Sequence, residues 1–336
     1  MATGGGRVTD VSVALCTHNG SKFIHEQIRS ICLQSHPPVE IVLSDDASTD
    51  DCVTVAQRVL EECLVELPGR HIALDVIENI PALGVTRNFD QATRRCRSDL
   101  IALCDQDDIW HPHRLRRMCA EFERRPDLIL LHTDARLVDA QRHDLGESLF
   151  HALEVERFEL AYIHEGRAFD AFLRRNLVTG ATAMLRRSLL DSASPFPGEW
   201  LHDEWLAMIA AAVGGVDVLE EETIDYRQHG GNHIGARRDT FVEKVRKAFA
   251  ARGNKHAQRT LKVEILLDRL LELADKIDAA AVDKVHSKLD HQRFRSQLPA
   301  HRVARLLPVV REVLTGRYER FGRGARGIVR DLFESV

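Results

Sequence analysis

The chain has 336 residues, of which 44% are hydrophobic and 29% charged, with a formal net charge of −5. That is enough apolar material for a large buried core, at a length that suits about two domains. The mild acidity gives no footing for nucleic acid, and no run of 18 apolar residues predicts a membrane-spanning helix.

The Gly-rich stretch from Met1 to Asp10 lacks the apolar segment of a secretory signal and reads as a frayed tail. Residues 11–16 form a first strand. A helix is expected from Ser21, with Phe23, Ile24, Ile28, Ile31 and Cys32 at helical spacing, and Pro37-Pro38 stops it. Residues 39–43 are a second strand, and Asp50 or Asp51 caps a second helix running to about Glu66. Residues 72–77 form a third strand, 85–96 a short helix and 100–104 a fourth strand. Another helix starts near Pro112, and 128–132 is a further strand. Residues 150–235 mix strand, turn and helix signals. From about residue 238 the pattern is almost wholly helical, with Val263, Leu266, Leu267, Leu270 and Leu271 expected on one apolar face. Strand and helix alternating at this spacing predict an α/β fold: a mostly parallel sheet flanked by helices, with a helical C-terminal region. The expected division is 8–235 and 238–336.

Seven cysteines, Cys16, Cys32, Cys52, Cys63, Cys96, Cys104 and Cys119, contain no C-x-x-C pair. An odd count without ligand spacing reads as buried, reduced thiols in a cytoplasmic protein.

In parallel sheets, ligands bind outside the carboxyl ends of the strands. Three polar clusters fall there: Thr17-His18-Asn19, Ser44-Asp45-Asp46 and Asp105-Gln106-Asp107-Asp108. Consecutive carboxylates at a strand end repel unless a cation lies between them, and hard divalent cations take oxygen ligands together with substrate phosphates. The competing reading is a solvated acidic turn. Trp110 beside the run is a candidate wall for a sugar pocket. Asp45 or Asp46 suits a base imide or a ribose hydroxyl, while Asp50 or Ser48 suits a helix cap. Arg87, in a helix-opening Gly84-Val85-Thr86-Arg87-Asn88, suits an anion or is a plain surface arginine. Asp203, with His202 and Glu204 at the head of an apolar helix, is a candidate general base or an ordinary first-turn acid. Arg227 and His229, before Gly230-Gly231, are candidates for a diphosphate or a metal.

The motifs Cys16-Thr17-His18-Asn19-Gly20, Ser44-Asp45-Asp46-Ala47-Ser48-Thr49-Asp50, Gly84-Val85-Thr86-Arg87-Asn88, Cys104-Asp105-Gln106-Asp107-Asp108-Ile109-Trp110, Gly180-Ala181-Thr182, His202-Asp203-Glu204-Trp205 and Tyr226-Arg227-Gln228-His229-Gly230-Gly231-Asn232 follow one another over residues 10–235. In this order they resemble the family 2 glycosyltransferases of the GT-A fold, especially the bacterial rhamnosyltransferase-like branch. The resemblance implies a nucleotide-sugar site of Thr17, Asn19, Asp45, Asp46, Arg87, Asp105, Gln106, Trp110 and Arg227, with Asp105 on the ribose side. It implies Mg2+ or Mn2+ on Asp107 with Asp105 and His229, and Asp203 as catalytic base. His202, Glu204 and Trp205 then belong to the acceptor or sugar pocket. Two departures stand out. His202-Asp203 occupies a position where many members carry Glu-Asp, and the Gln-x-x-Arg-Trp motif of processive synthases is absent.

The implied reaction is an inverting transfer from dTDP-rhamnose or a UDP-sugar to a hydroxyl of a glycan or lipid-linked acceptor in cell-surface polysaccharide synthesis. Alternatives are a sugar-1-phosphate nucleotidyltransferase, whose Gly-rich Arg-containing loop is missing after strand one, and a degenerate transferase serving as a scaffold. In the last stretch, eight arginines face four acids between His301 and Val336. Such basic amphipathic helices suit either peripheral contact with an anionic membrane, or packing on the catalytic domain or on a second subunit of a homo-oligomer with the arginines outward.

Overall fold

In the computed structural model, the described residues are 9–229 and 254–334. The Gly230-Gly231-Asn232-His233 motif, the N-terminal tail before residue 9 and the expected helical pattern over 238–253 lie outside them. The rest divides into two compact units, one of Met1–Val155, Val178–Ala210 and Gly214–Ala236, the other of Glu156–Leu177, Ala211–Val213 and Arg237–Val336. The division is therefore not the single cut expected between residues 235 and 238, because Glu156–Leu177 belongs with the helical unit.

The first unit is built on β1 (Val11–Thr17), β2 (Glu40–Asp45), β3 (Ala73–Glu78) and β4 (Leu100–Cys104). β1, β2 and β4 are buried along their whole lengths, as their mostly apolar runs require of strands covered on both faces. Between them run α1 (Ile24–Cys32), α2 (Cys52–Glu66) and α3 (Val85–Arg95). α1 begins at Ile24 rather than Ser21, because the Gly20 carbonyl accepts the N–H groups of both Phe23 and Ile24 and holds residues 20–23 in a turn.

The sheet order is β3-β2-β1-β4, with all four strands parallel. The chain steps outward from β1 to β3 and then returns to the other side of β1. That reversal places a topological switch point between β1 and β4, the position outside whose carboxyl ends such sheets bind ligands.

Beyond β4 the sheet is mixed. β5 (Ile109–Trp110), α4 (Arg114–Arg124), β6 (Leu128–Val138), β7 (Asp144–Ser148) and α5 (Leu149–Ala152) come next in the chain. β8 (Met184–Arg186), α8 (Leu190–Ala193), α9 (His202–Val213) and β9 (Gly215–Arg227) follow the excursion into the second unit. β8 runs antiparallel to both β4 and β6, β9 is parallel to β6, and β5 pairs antiparallel with β9. The antiparallel run of β8 brings the short turn Gly180–Thr182 beside the carboxyl end of β4, where the Leu103 N–H bonds the Ala183 carbonyl. All seven cysteines are buried and free, as expected from their spacing.

The helical unit contains α6 (Arg157–His164), α7 (Ala168–Arg174), α10 (Lys255–Glu272), α11 (Ala279–Ser296), α12 (Arg302–Leu314), α13 (Arg317–Phe321) and α14 (Ala325–Phe333). Val263, Leu266, Leu267 and Leu270 form the buried face of α10, but Leu271 is exposed because a residue directly after Leu270 has turned about 100° away. Leu298, Val309 and Tyr318 form a small core with Phe294, Ile328 and Leu332.

Candidate active site

The switch point between β1 and β4 is bordered by two loops that bond each other. The His18 N–H donates to Gln106 Oε1 at 2.8 Å, and Gln106 Nε2 returns a bond to the His18 carbonyl. Asn19, held at φ 50°, accepts from the Thr49 N–H, while its own N–H donates to Ser48. Gly20 is confined here because a Cβ would stand 2.2 Å from Gln106 Oε1.

Asp45 is buried and accepts from the Thr17 hydroxyl, from the Ser48 N–H and hydroxyl, and from Cys52. Burial alone would raise its pKa, but these donors outweigh burial and hold the carboxyl below its usual range. Both oxygens of Asp46 accept N–H groups at the head of α3, from Leu83 at 2.6 Å and Gly84 at 2.9 Å. Thr17, Asn19, Asp45 and Asp46, read from the sequence as nucleotide contacts, are thus already engaged in shaping the switch point.

The acidic run at the end of β4 is poised differently. Asp105 is half-buried, and its pKa is pushed up to about 7 by desolvation and by the neighbouring charges of Asp107 and Asp203. Asp108 is buried and is raised well above the usual range by desolvation and by Asp107 and Asp105. Its Oδ1 accepts the Arg227 N–H at 3.0 Å, while Oδ2 has no hydrogen-bond partner among the described residues. Asp107 Oδ2 meets His229 Nε2 at 2.7 Å, and the His229 ring stacks on Phe23 at 4.6 Å between centroids. Mutual repulsion, an orphaned buried carboxylate oxygen and a neighbouring imidazole are donor chemistry suited to a hard divalent cation, although no three ligand atoms of these described residues lie within 4.8 Å of one another.

Asp203 enters from the first turn of α9. Its Oδ2 accepts the Gly180 N–H at 3.0 Å and its Oδ1 the Glu204 N–H at 2.7 Å. Because Gly180 flanks the end of β4, Asp203 comes within electrostatic reach of Asp105. The acidic run is thus approached from two distant parts of the chain, His229 bonding Asp107 and Asp203 acting electrostatically on Asp105.

The structure corrects several sequence-based expectations. Arg227 is not an open diphosphate contact. It is 2% exposed, and its guanidinium donates to the Asp107 carbonyl, the Ala140 carbonyl and Glu26 while lying 4.8 Å over the Phe23 ring. It braces the acidic run from behind. Trp110 is buried in the hydrophobic core under the Arg114 guanidinium and walls no sugar pocket. Trp205 is wholly buried with its indole N–H on the Ala193 carbonyl, so it does not line an acceptor pocket.

His202 is buried and stacked on Phe89 at 3.8 Å, and burial depresses its pKa to about 3, so the ring is neutral packing. Glu204, by contrast, is half-buried at the helix head. Arg87 is exposed and lines a cavity of about 750 Å³ with Arg94, Gln91 and Gly198.

Phe23 and Glu26 were not singled out from the sequence as site residues, and His18 appeared there only within the Thr17-His18-Asn19 cluster. Phe23 was visible there only as one of the apolar positions of α1. Glu26 carried no signal, because its partner Arg227 is 201 residues away. In the helical unit, His256, Asp331 and Glu334 form a second buried cluster of ligand-type residues. Arg295 occupies both oxygens of Asp331, and Arg330 lies against Glu334, so this cluster is neutralised by arginine.

A mixed sheet whose parallel half has a switch point edged by acids defines an α/β class that binds ligands at the carboxyl ends of its strands. The chain matches the family model Glycosyl transferase family 2 over residues 12–193, and it belongs to that family. An uncharacterized protein of Mycobacterium tuberculosis is 26% identical over 222 residues, covering 65% of this chain and 59% of that protein. The match thus spans less than two thirds of that relative's length. The dTDP-rhamnosyl transferase RfbG of Shigella flexneri is 24% identical over 238 residues, covering 66% of this chain and 74% of that protein.

Among solved structures, S. aureus TarS 1-349 in complex with UDP-GlcNAc aligns with a TM-score of 0.53 at 18% identity, covering 96% of this chain and 90% of that one. The mannosyltransferase PcManGT from Pyrobaculum calidifontis, in complex with GDP-Man and Mn2+, aligns with a TM-score of 0.51 at 16% identity, covering 97% and 86%. These likenesses show the GT-A fold, and no described helix is long and apolar enough to cross a membrane.

Proposed function

We propose that the protein is an inverting glycosyltransferase that moves a sugar from a nucleotide sugar to a hydroxyl of a glycan or lipid-linked acceptor. The observation that carries this reading is the acidic run at the end of β4, with His229 bonded to Asp107 and Asp203 within electrostatic reach of Asp105. Asp203 is the general base. Its carboxylate, aimed by the Gly180 and Glu204 N–H groups, takes the acceptor hydroxyl proton. The acceptor oxygen then attacks the anomeric carbon as the bond to the diphosphate breaks on the opposite face, so configuration inverts.

Asp107 and Asp105, with His229 oriented by Phe23, are the residues that would hold Mg2+ or Mn2+. When bound, that ion supplies neutralisation of the charge growing on the departing diphosphate. Arg227, Glu26 and the His18–Gln106 clamp keep these groups in place before substrate arrives.

The name of the Shigella relative makes dTDP-rhamnose the first donor to test, and the UDP-GlcNAc of the TarS structure makes UDP-sugars the second. In this reading the protein acts in cell-surface polysaccharide synthesis, on the cytoplasmic side of the membrane. Asp203→Asn is expected to abolish release of nucleoside diphosphate during transfer while leaving nucleotide affinity nearly intact. Transfer at the wild-type rate in Asp203→Asn would remove this residue from the role.

A further inference from the structure

The helix α12 buries one of its arginines and exposes most of its leucines and valines. Two of its charged residues face inward: Arg305 is fully buried and donates to the carbonyls of Pro299, Ala300, Asp331 and Glu334. Glu312 is buried beside His291, and Val309 joins the small core. The outward face carries Val303, Leu306, Leu307, Val310, Val313 and Leu314, from 39% to 83% exposed. Positions 303, 306, 307, 310, 313 and 314 are one helical stripe, so the exposure is continuous along the helix rather than scattered.

Exposed charge along the segment after His301 is one-sided. Of the four acids after His301, Glu312, Asp331 and Glu334 are buried against His291, Arg295 and His256, which leaves Glu319 as the exposed one. Arg302, Arg311, Arg320, Arg323 and Arg326 are exposed. Arg302 and Arg311 thus flank the apolar stripe on α12 itself, and the segment that follows adds three more exposed arginines.

We infer that α12 is a membrane-surface anchor that lays its leucine–valine stripe into the interface of an anionic lipid layer. Apolar side chains on such a helix enter roughly 5–10 Å below the headgroups, while arginines hold the anionic lipids around them. A second copy of the chain fits the stripe less well, because symmetric packing through one self-complementary patch brings its arginine fringe against itself. The inference is independent of the donor and of Asp203, and its readout is binding rather than transfer.

The test is co-sedimentation of the full chain with vesicles of phosphatidylcholine alone and of phosphatidylcholine mixed with phosphatidylglycerol. The protein is expected to partition onto the mixed vesicles and to be released by salt. Leu307→Glu should reduce partition about tenfold or more without lowering the melting temperature, since the site is already exposed. Arg311→Ala and Arg320→Ala should each reduce it about fivefold, at roughly 1 kcal/mol per arginine. Three results would each overturn the inference: equal partition onto both vesicle types, partition unchanged by Leu307→Glu and Arg311→Ala, or a lipid-free dimer in light scattering that Leu307→Glu dissociates.

Discussion

Gly180→Ala tests whether the placement of Asp203 limits activity. A methyl at this position would stand 2.4 Å from His202 Nε2, 3.2 Å from its Cε1 and 3.4 Å from its Cδ2. The imidazole cannot swing aside, because it is buried and stacked at 13° on Phe89. Relief therefore requires the Gly180 backbone to retreat by about 1 Å to reach ordinary contact, and its N–H leaves Asp203 Oδ2. Overpacking of this kind costs about 1–3 kcal/mol. That is a fall of about 2–12 °C in melting temperature for a unit of this size.

A base misplaced by about 1 Å loses about a hundredfold in turnover. Nucleotide affinity should barely change, since the acidic run is untouched. The assay is release of nucleoside diphosphate from dTDP-rhamnose or a UDP-sugar, alongside thermal melts and nucleotide titration. Pairing the change with His202→Ala makes room for the methyl, so the double variant should be more stable than the sum of the two single losses. Strict additivity together with wild-type turnover in Gly180→Ala would refute the reasoning.

Other perturbations follow from the same geometry. The pKa of Asp105, raised from 3.8 to about 7, means that its contribution to stability is complete below about pH 4 and lost as pH rises through 7. A bound cation favours the ionised form, so the gain in melting temperature with Mn2+ should be larger near pH 8 than near pH 5.5, and an equal gain at both would contradict this. His202, depressed from 6.5 to about 3, contributes stability above pH 6.5 that is lost as pH falls toward 3. Urea unfolding should show His202→Leu removing about 2 kcal/mol of the wild type's loss between neutral pH and about pH 5. Arg227→Ala should lower both melting temperature and nucleotide affinity, because the guanidinium is a buried brace. Loss of affinity at an unchanged melting temperature would instead restore it as a direct phosphate contact.

The sheet strands β1 to β4 were legible in the sequence because each is a short, mostly apolar run bounded by turn and helix signals. β5, β7 and β8 were not. They have two, five and three residues, and only their pairing with distant strands makes them strands. The acidic run and Asp203 were legible as motifs, yet nothing local revealed that Gly180 would bring them together. Trp110, Trp205 and Arg227 were misjudged for one reason: residue type suggests what a side chain can bind, whereas tertiary packing decides which way it points. Arg305 and Leu306 show the same limit, since composition suggested arginines outward along the whole of α12 and the fold turned one of them in.

The account rests on Asp107 and its neighbours holding a cation that grips a nucleoside diphosphate. Calorimetric titration of UDP and dTDP into the protein, with Mn2+ and then with EDTA, measures this directly. The account predicts that the better ligand of the two binds at least about tenfold more tightly with Mn2+, and that Asp107→Asn loses this increment while keeping its melting temperature. Equal affinity in Mn2+ and EDTA, or an increment that survives Asp107→Asn, would contradict it.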